Sequence, residues 1–130
     1  MFSVLRDVMN TQDIETMISM FTEDALIIGS DPIEILSKEE FKKMWTEMSA
    51  AFNFKFQLFG EQPFKISPDG KSAIAVSQFY VPVMTANLPL RQVFNLNKVD
   101  GKWMVSFFSS SVIPKNEDLP KIMEALAVEE

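Results

Sequence analysis

Side chains able to do chemistry are few in this chain, and their types narrow what it can do. Histidine and cysteine are absent throughout, which excludes imidazole bases, thiol nucleophiles, disulfides and the usual zinc ligand sets. Acid–base work would fall to a carboxylate, a tyrosine or a lysine whose pKa an apolar site has moved. Asp31 stands in a Gly29-Ser30-Asp31-Pro32 turn with Glu34 close behind, and Tyr80 is the one tyrosine. These three are the candidate catalytic residues. Each also has a plainer role. Acidic groups in such a turn ordinarily cap or solvate it, and a tyrosine at a core edge sends its hydroxyl to water or backbone. No metal-ligating cluster and no cofactor motif occurs, so neither a metal nor a cofactor is expected.

Helices come first in the chain. Phe2, Leu5 and Met9 recur at helical spacing, as do Val4 and Val8, so a short amphipathic helix is expected there. Asp13 suits the N-cap of a second, whose buried face would carry Ile14, Met17, Ile18 and Phe21. Ala25 to Ile28 reads as a short strand running into the Gly29 turn. Ser37 and Glu40 have the spacing of a capping box, with Leu36 and Phe41 set for the hydrophobic staple. Behind them Phe41, Met44, Trp45 and Met48 fall on one helical face.

From Phe52 the period changes to two, with Phe52, Phe54, Phe56 and Leu58 alternating with other residues, so a strand is expected. Pro68, Asp69 and Gly70 supply a turn to a second strand, Ser72 to Val81. Pro82 and Pro89 bracket an expected loop, Val83 to Leu88. Arg91 to Val99 and Lys102 to Val112 are joined by Asp100-Gly101, a hairpin dipeptide. Asp118 and Pro120 open a short last helix with Ile122, Met123 and Leu126. Helices followed by a four-stranded antiparallel meander define an α+β domain, with helices covering the concave face of a curved sheet.

Strand register decides where Arg91 points, since a one-residue slip reverses every side chain. A two-residue Asp100-Gly101 turn sets Phe94 opposite Phe107 and Leu96 opposite Val105, with Arg91 facing away from the helices. The outer face would then show Arg91, Val93, Asn95, Met104, Ser106 and Phe108, and Trp103 would be core. A bulged three-residue loop instead sets Arg91 opposite Ser109, as an anion clamp inside a pocket.

The element order, with Phe21-Thr22-Glu23-Asp24-Ala25, Gly29-Ser30-Asp31-Pro32 and Glu34, Ser67-Pro68-Asp69-Gly70, Arg91, and Asp100-Gly101-Lys102-Trp103 closing on Ser111, resembles the nuclear transport factor two-like superfamily. Within it the likeness is to the SnoaL-like and ketosteroid isomerase-like branch, over about the whole chain, residues 1–130. The resemblance implies a cone-shaped fold enclosing an apolar pocket, and a homodimer made through the sheet. Family members often carry a Trp-x-Ile-x-His-x-His-x-Ser strand. Here Trp103 and Val105 match, Phe107 and Ser109 stand at the two histidine positions, and Ser111 keeps the last hydroxyl. Val93 replaces the threonine of an Arg-x-Thr pattern, leaving Arg91. The expected pocket residues are therefore Trp45, Met48, Tyr80, Arg91, Phe107 and Ser109.

Eighteen acidic and twelve basic residues give a net charge of -6, which repels nucleic-acid backbones and anionic lipid. No nucleic-acid or membrane partner is expected. No apolar run approaches a membrane span, and Arg6 and Asp7 interrupt any leader-like stretch, so a cytoplasmic location is expected. Three functions stay open: a binding domain for a small apolar molecule, an isomerase, dehydratase or cyclase using a carboxylate or tyrosine, and a dimeric association module.

Overall fold

A computed structural model describes residues 13–51, 55–83 and 85–127. The helix expected between Phe2 and Met9 lies outside them. Asp13 caps α1 (Ile14–Ser19): its Oδ1 accepts the Thr16 N–H at 3.2 Å, satisfying one of the free donors that open any helix. Met17 and Ile18 are the buried residues of α1. Phe21 is not on this helix but begins β1 (Phe21–Ile28), so the first strand is twice the expected length. The Gly29 turn folds the chain back onto β2 (Ile35–Leu36), antiparallel to β1.

The capping box forms. Glu40 N–H donates to Ser37 Oγ at 3.2 Å, and Ser37 N–H donates to Glu40 Oε1 at 3.1 Å. It opens α2 (Lys38–Ala51), whose Phe41 and Trp45 are buried. Lys38 ties this end to the sheet, donating to Phe21 O at 2.9 Å and to Glu23 Oε1 at 3.0 Å.

The expected strand after α2 is broken into β3 (Gln57–Leu58) and β4 (Phe64–Ile66), both paired with β5 (Ser72–Val81). Phe52 and Phe54 lie outside the described residues. Between the two pieces Gln62 replaces backbone with side chain: its Nε2 donates to Gln78 O at 2.9 Å and its Oε1 accepts Gln78 N–H at 3.1 Å. A primary amide has the donor and acceptor of a peptide group, so the ladder continues through it.

The expected loop Val83 to Leu88 is instead the start of a long strand, β6 (Thr85–Val99), with Val81 paired to Thr85. Proline is tolerated in it because Pro89 coincides with an irregularity in the β5–β6 ladder. Asp100 and Gly101, with φ of 51° and 79°, make the two-residue turn whose both positions need positive φ, and β7 (Lys102–Val112) follows. The result is one curved sheet of seven strands in the order β2-β1-β7-β6-β5-β3, with β4 also on β5. The meander is antiparallel, but β1 joins β7 in parallel. A 3-10 turn (Asn116–Asp118) and α3 (Leu119–Ala125) end the described chain, with no Asp118 side-chain cap.

One defect sets the geometry of everything downstream. Leu96 pairs with Val105 and Asn95 with Phe107, so Ser106 is an extra residue in β7, a β-bulge. Asn95 Nδ2 and Asn97 Nδ2 both donate to Ser106 Oγ at 2.9 Å, and that hydroxyl donates to Asn95 O at 3.2 Å. The turn length matches the first expected register, but the bulge shifts the remainder of β7 by one residue. Phe94 therefore pairs with Phe108, and Arg91 with Ser111.

Candidate functional site

Inward-facing residues can be followed strand by strand. Ala73, Ala75, Ser77, Phe79 and Val81 are buried on β5, and Leu90, Gln92, Phe94 and Leu96 on β6. On β7 the inward set passes from Val105 to Phe108 across the bulge, and Ser110 continues it. Aromatic rings join this face to the helix. Phe108 meets Phe41 at 5.6 Å, Phe94 at 5.1 Å and Phe21 at 6.3 Å between centroids, within the range where tilted aromatic pairs attract.

Beyond that packed cluster the helix and sheet separate around a cavity of about 350 Å³. Phe41, Met44, Trp45 and Met48 of α2 form one wall, with Phe56 beside them; Phe79, Val81, Leu90 and Phe108 form the other. Methionine thioethers suit such a wall because they adapt to irregular shapes. Its polar atoms come from two places: Gln92 and Ser110 on the sheet, and Ser30, Asp31 and Glu34 at the end where β1 turns.

The turn is closely built. Gly29 N–H donates to Glu34 O at 2.8 Å, and Glu34 N–H to Asp31 O at 2.9 Å. The Glu34 carboxylate folds back over Gly29, where an added Cβ would sit 2.8 Å from Glu34 Cβ. Glycine is required here by this close approach rather than by its φ. Glu34 Oε1 accepts the Asp31 N–H at 3.0 Å, and Asp31 Oδ1 accepts the Ile33 N–H at 3.0 Å. Both carboxylates thus hold the turn together at the cavity's edge.

Of the residues expected in the pocket from sequence, Trp45 and Met48 lie on the cavity wall, and Asp31 and Glu34 at its edge. Four do not. Tyr80 faces outward from β5 and stacks on Phe59 at 4.7 Å; its inward neighbours Phe79 and Val81 take the wall. Arg91 faces outward and donates through Nε and Nη2 to Gln78 Oε1 at 3.2 and 2.8 Å. Phe107 and Ser109 are displaced to the outer face by the bulge, which puts Phe108 and Ser110 inside. The same shift overturns the expectation that Phe108 lies on the outer face; it is 3% exposed and in the core. Trp103 is half-buried and packs against the edge of the core rather than within it, with Lys98 Nζ 5.3 Å from its ring centroid.

Gln92 was missed. Its signal was present, as a lone amide in the alternating apolar row Leu90, Phe94, Leu96.

Among the described residues no cluster of three or more acidic side chains could hold a metal ion, and no helix is long and apolar enough to cross a membrane.

A curved sheet wrapped over helices, with a cavity between them and a short strand carrying its rim, defines an α+β domain of cystatin-like architecture. The SnoaL-like domain profile matches residues 3–114, and the chain belongs to that family. A sequence search of curated proteins gave no match. Among solved structures, the chain is similar to a cystatin-like fold protein from Burkholderia xenovorans, at 16% identity, covering 88% of this chain and 87% of that one with a TM-score of 0.70. It is similar to an NTF2-like protein of unknown function from Pseudomonas putida, at 13% identity, 87% and 82% coverage and a TM-score of 0.70. A cystatin-like domain of unknown function from Nostoc punctiforme gives 15% identity, 95% and 81% coverage and 0.72. At these identities the likeness establishes the fold.

Proposed function

We propose that this domain binds a small, mainly apolar molecule between α2 and the inner face of β5–β7. The observation that carries this reading is the cavity itself: about 350 Å³ walled by Phe41, Met44, Trp45, Met48 and Phe79, within the size range of ligand sites. No carboxylate in or near it is arranged for proton transfer ahead of its local role, since Asp31 and Glu34 accept backbone N–H groups of their own turn. The isomerase, dehydratase or cyclase alternative therefore draws no support from their geometry. A panel of apolar compounds tested by thermal shift and by Trp45 fluorescence checks the proposal. Ligands should raise the melting temperature, and Ser110→Phe, which fills the cavity, should abolish the effect; compounds acting equally on both proteins would exclude the cavity.

The same proposal includes a homodimer through the outer face of the sheet. Its support is a half-buried row, Val76, Val93, Met104 and Phe107, set among hydrogen-bonded polar groups, as interface surfaces are. Phe107, not Phe108, would be its apolar centre. Light scattering should give twice the 14.8 kDa chain mass, and Phe107→Glu should give monomers by placing like charges face to face. A monomer for the unmutated chain would refute the dimer. A cytoplasmic location belongs to this proposal as well, and fractionation of cells carrying the tagged chain checks it.

A further inference from the structure

Gln92 lies midway along the inner row of β6, 6% exposed, on the wall of the cavity. Its amide offers two N–H donors and a carbonyl acceptor. Among the described residues none of these atoms is hydrogen-bonded to protein, whereas Gln62 and Gln78, at the β5 edge, use both their amide nitrogen and oxygen in hydrogen bonds. The amide atoms are not fully enclosed and reach the cavity that Gln92 lines. An amide held on an apolar wall with its donors and acceptor uncommitted is a group with which a molecule entering the cavity can pair.

The charge pattern restricts the partner. No lysine or arginine is on the described wall of the cavity, and the two carboxylates present, Asp31 and Glu34, stand at its rim. An anion would lose its hydration with no cation to replace it and would pass two negative groups on entry. Ser110, opposite Gln92 in the β6–β7 register, adds a hydroxyl that can donate or accept. The volume of about 350 Å³, at about 30 Å³ for each water-sized group, admits about a dozen non-hydrogen atoms.

We propose that the cavity takes a neutral, largely apolar molecule of that size whose carbonyl or hydroxyl group is bound by the Gln92 side-chain amide. This rests on the binding reading above and adds the chemistry of recognition. Such an amide can donate to a ketone or both donate to and accept from an alcohol, whereas a hydrocarbon leaves it without a partner. Discrimination between oxygenated and purely hydrocarbon molecules of one shape is the consequence.

Calorimetric titration with three probes of equal size tests it: a naphthyl methyl ketone, its analogue with an isopropenyl group in place of the acetyl, and naphthoate. The full chain should bind the ketone about tenfold or more tighter than the hydrocarbon, and naphthoate weakest. Gln92→Leu should remove the preference for the ketone while keeping the hydrocarbon; Gln92→Met serves if the leucine variant does not fold. Equal affinity for ketone and hydrocarbon in both proteins would overturn the role of Gln92 and leave the binding reading intact. Naphthoate binding best would overturn the neutral ligand class. Neither neutral probe binding would remove the binding reading and this inference with it.

Discussion

On the outer face of the sheet, Gln78 accepts two hydrogen bonds from Arg91 and donates from Nε2 to Glu61 O at 3.0 Å. On the inner face, Gln92 pairs in register with Ser77, the residue next to Gln78, and makes no hydrogen bond among the described residues. The contrast extends to the neighbours. Outside, Asn95 and Asn97 converge on Ser106 and Tyr80 rests on Phe59, so the polar groups there hold the bulge and the broken edge strand in place. Inside, the neighbours of Gln92 are apolar except for its two register partners, Ser77 on β5 and Ser110 on β7. The same side-chain type is structural on one face and available on the other, which is why the inner face is the place to seek function.

The largest effect should come from removing the packing that separates the two faces. Phe108→Ala should cost about 3 to 5 kcal/mol by urea unfolding, as for other buried aromatic truncations. The neighbouring Phe107→Ala, on the outer side of the bulge, should cost about 1 kcal/mol for a half-buried ring. Equal costs would mean that the bulge at Ser106 is misplaced. Next is the rim: Gly29→Ala should cost about 2 kcal/mol, because its Cβ meets the Glu34 side chain at 2.8 Å and must push it away.

A smaller effect tests the helix that forms the opposite wall. Ser37→Ala should lower stability by about 1 kcal/mol through loss of the cap. Hydrogen bonds from the Ser37 backbone, and then from its side chain, hold the Glu40 carboxyl below its ordinary value. A carboxyl depressed in the folded state stabilises above its unfolded pKa, and that contribution is lost as pH falls through the folded one. The difference in melting temperature between the wild type and Glu40→Gln, which cannot ionise, should therefore narrow in acid; a constant difference would argue against the reciprocal box.

Local signals in the sequence gave reliable accounts of local structure. The Asp13 cap, the Ser37-Glu40 box, the Asp100-Gly101 turn and the full extent of β5 follow from side chains reaching their own backbone or from simple alternation. Pairings between distant segments did not follow as well. The bulge at Ser106 is stabilised by Asn95 and Asn97 from another strand, so nothing within Trp103 to Ser111 marks where alternation breaks. That single unseen residue moved Phe107 and Ser109 out of the pocket and brought Phe108 and Ser110 in. The helical spacing of Phe21 was likewise overridden by pairing of β1 with β7. On β6 no such break intervenes between Leu90 and Asn95, and the position of Gln92 could have been read from alternation alone.

The most direct test is to make one substitution on each face in the ligand-free protein. Gln78→Leu strips Arg91 of its acceptor and should lower stability by up to about 1 kcal/mol, as for an exposed hydrogen-bonded pair. Gln92→Leu replaces an amide that has no hydrogen-bond partner among the described residues by an apolar group of similar size and should raise stability by up to about 1 kcal/mol. Chemical unfolding of the two variants beside the wild type measures both. Opposite signs are the predicted result. A Gln92→Leu variant destabilised as much as Gln78→Leu, or more, would show that the inner amide is a structural group and contradict its assignment to a ligand.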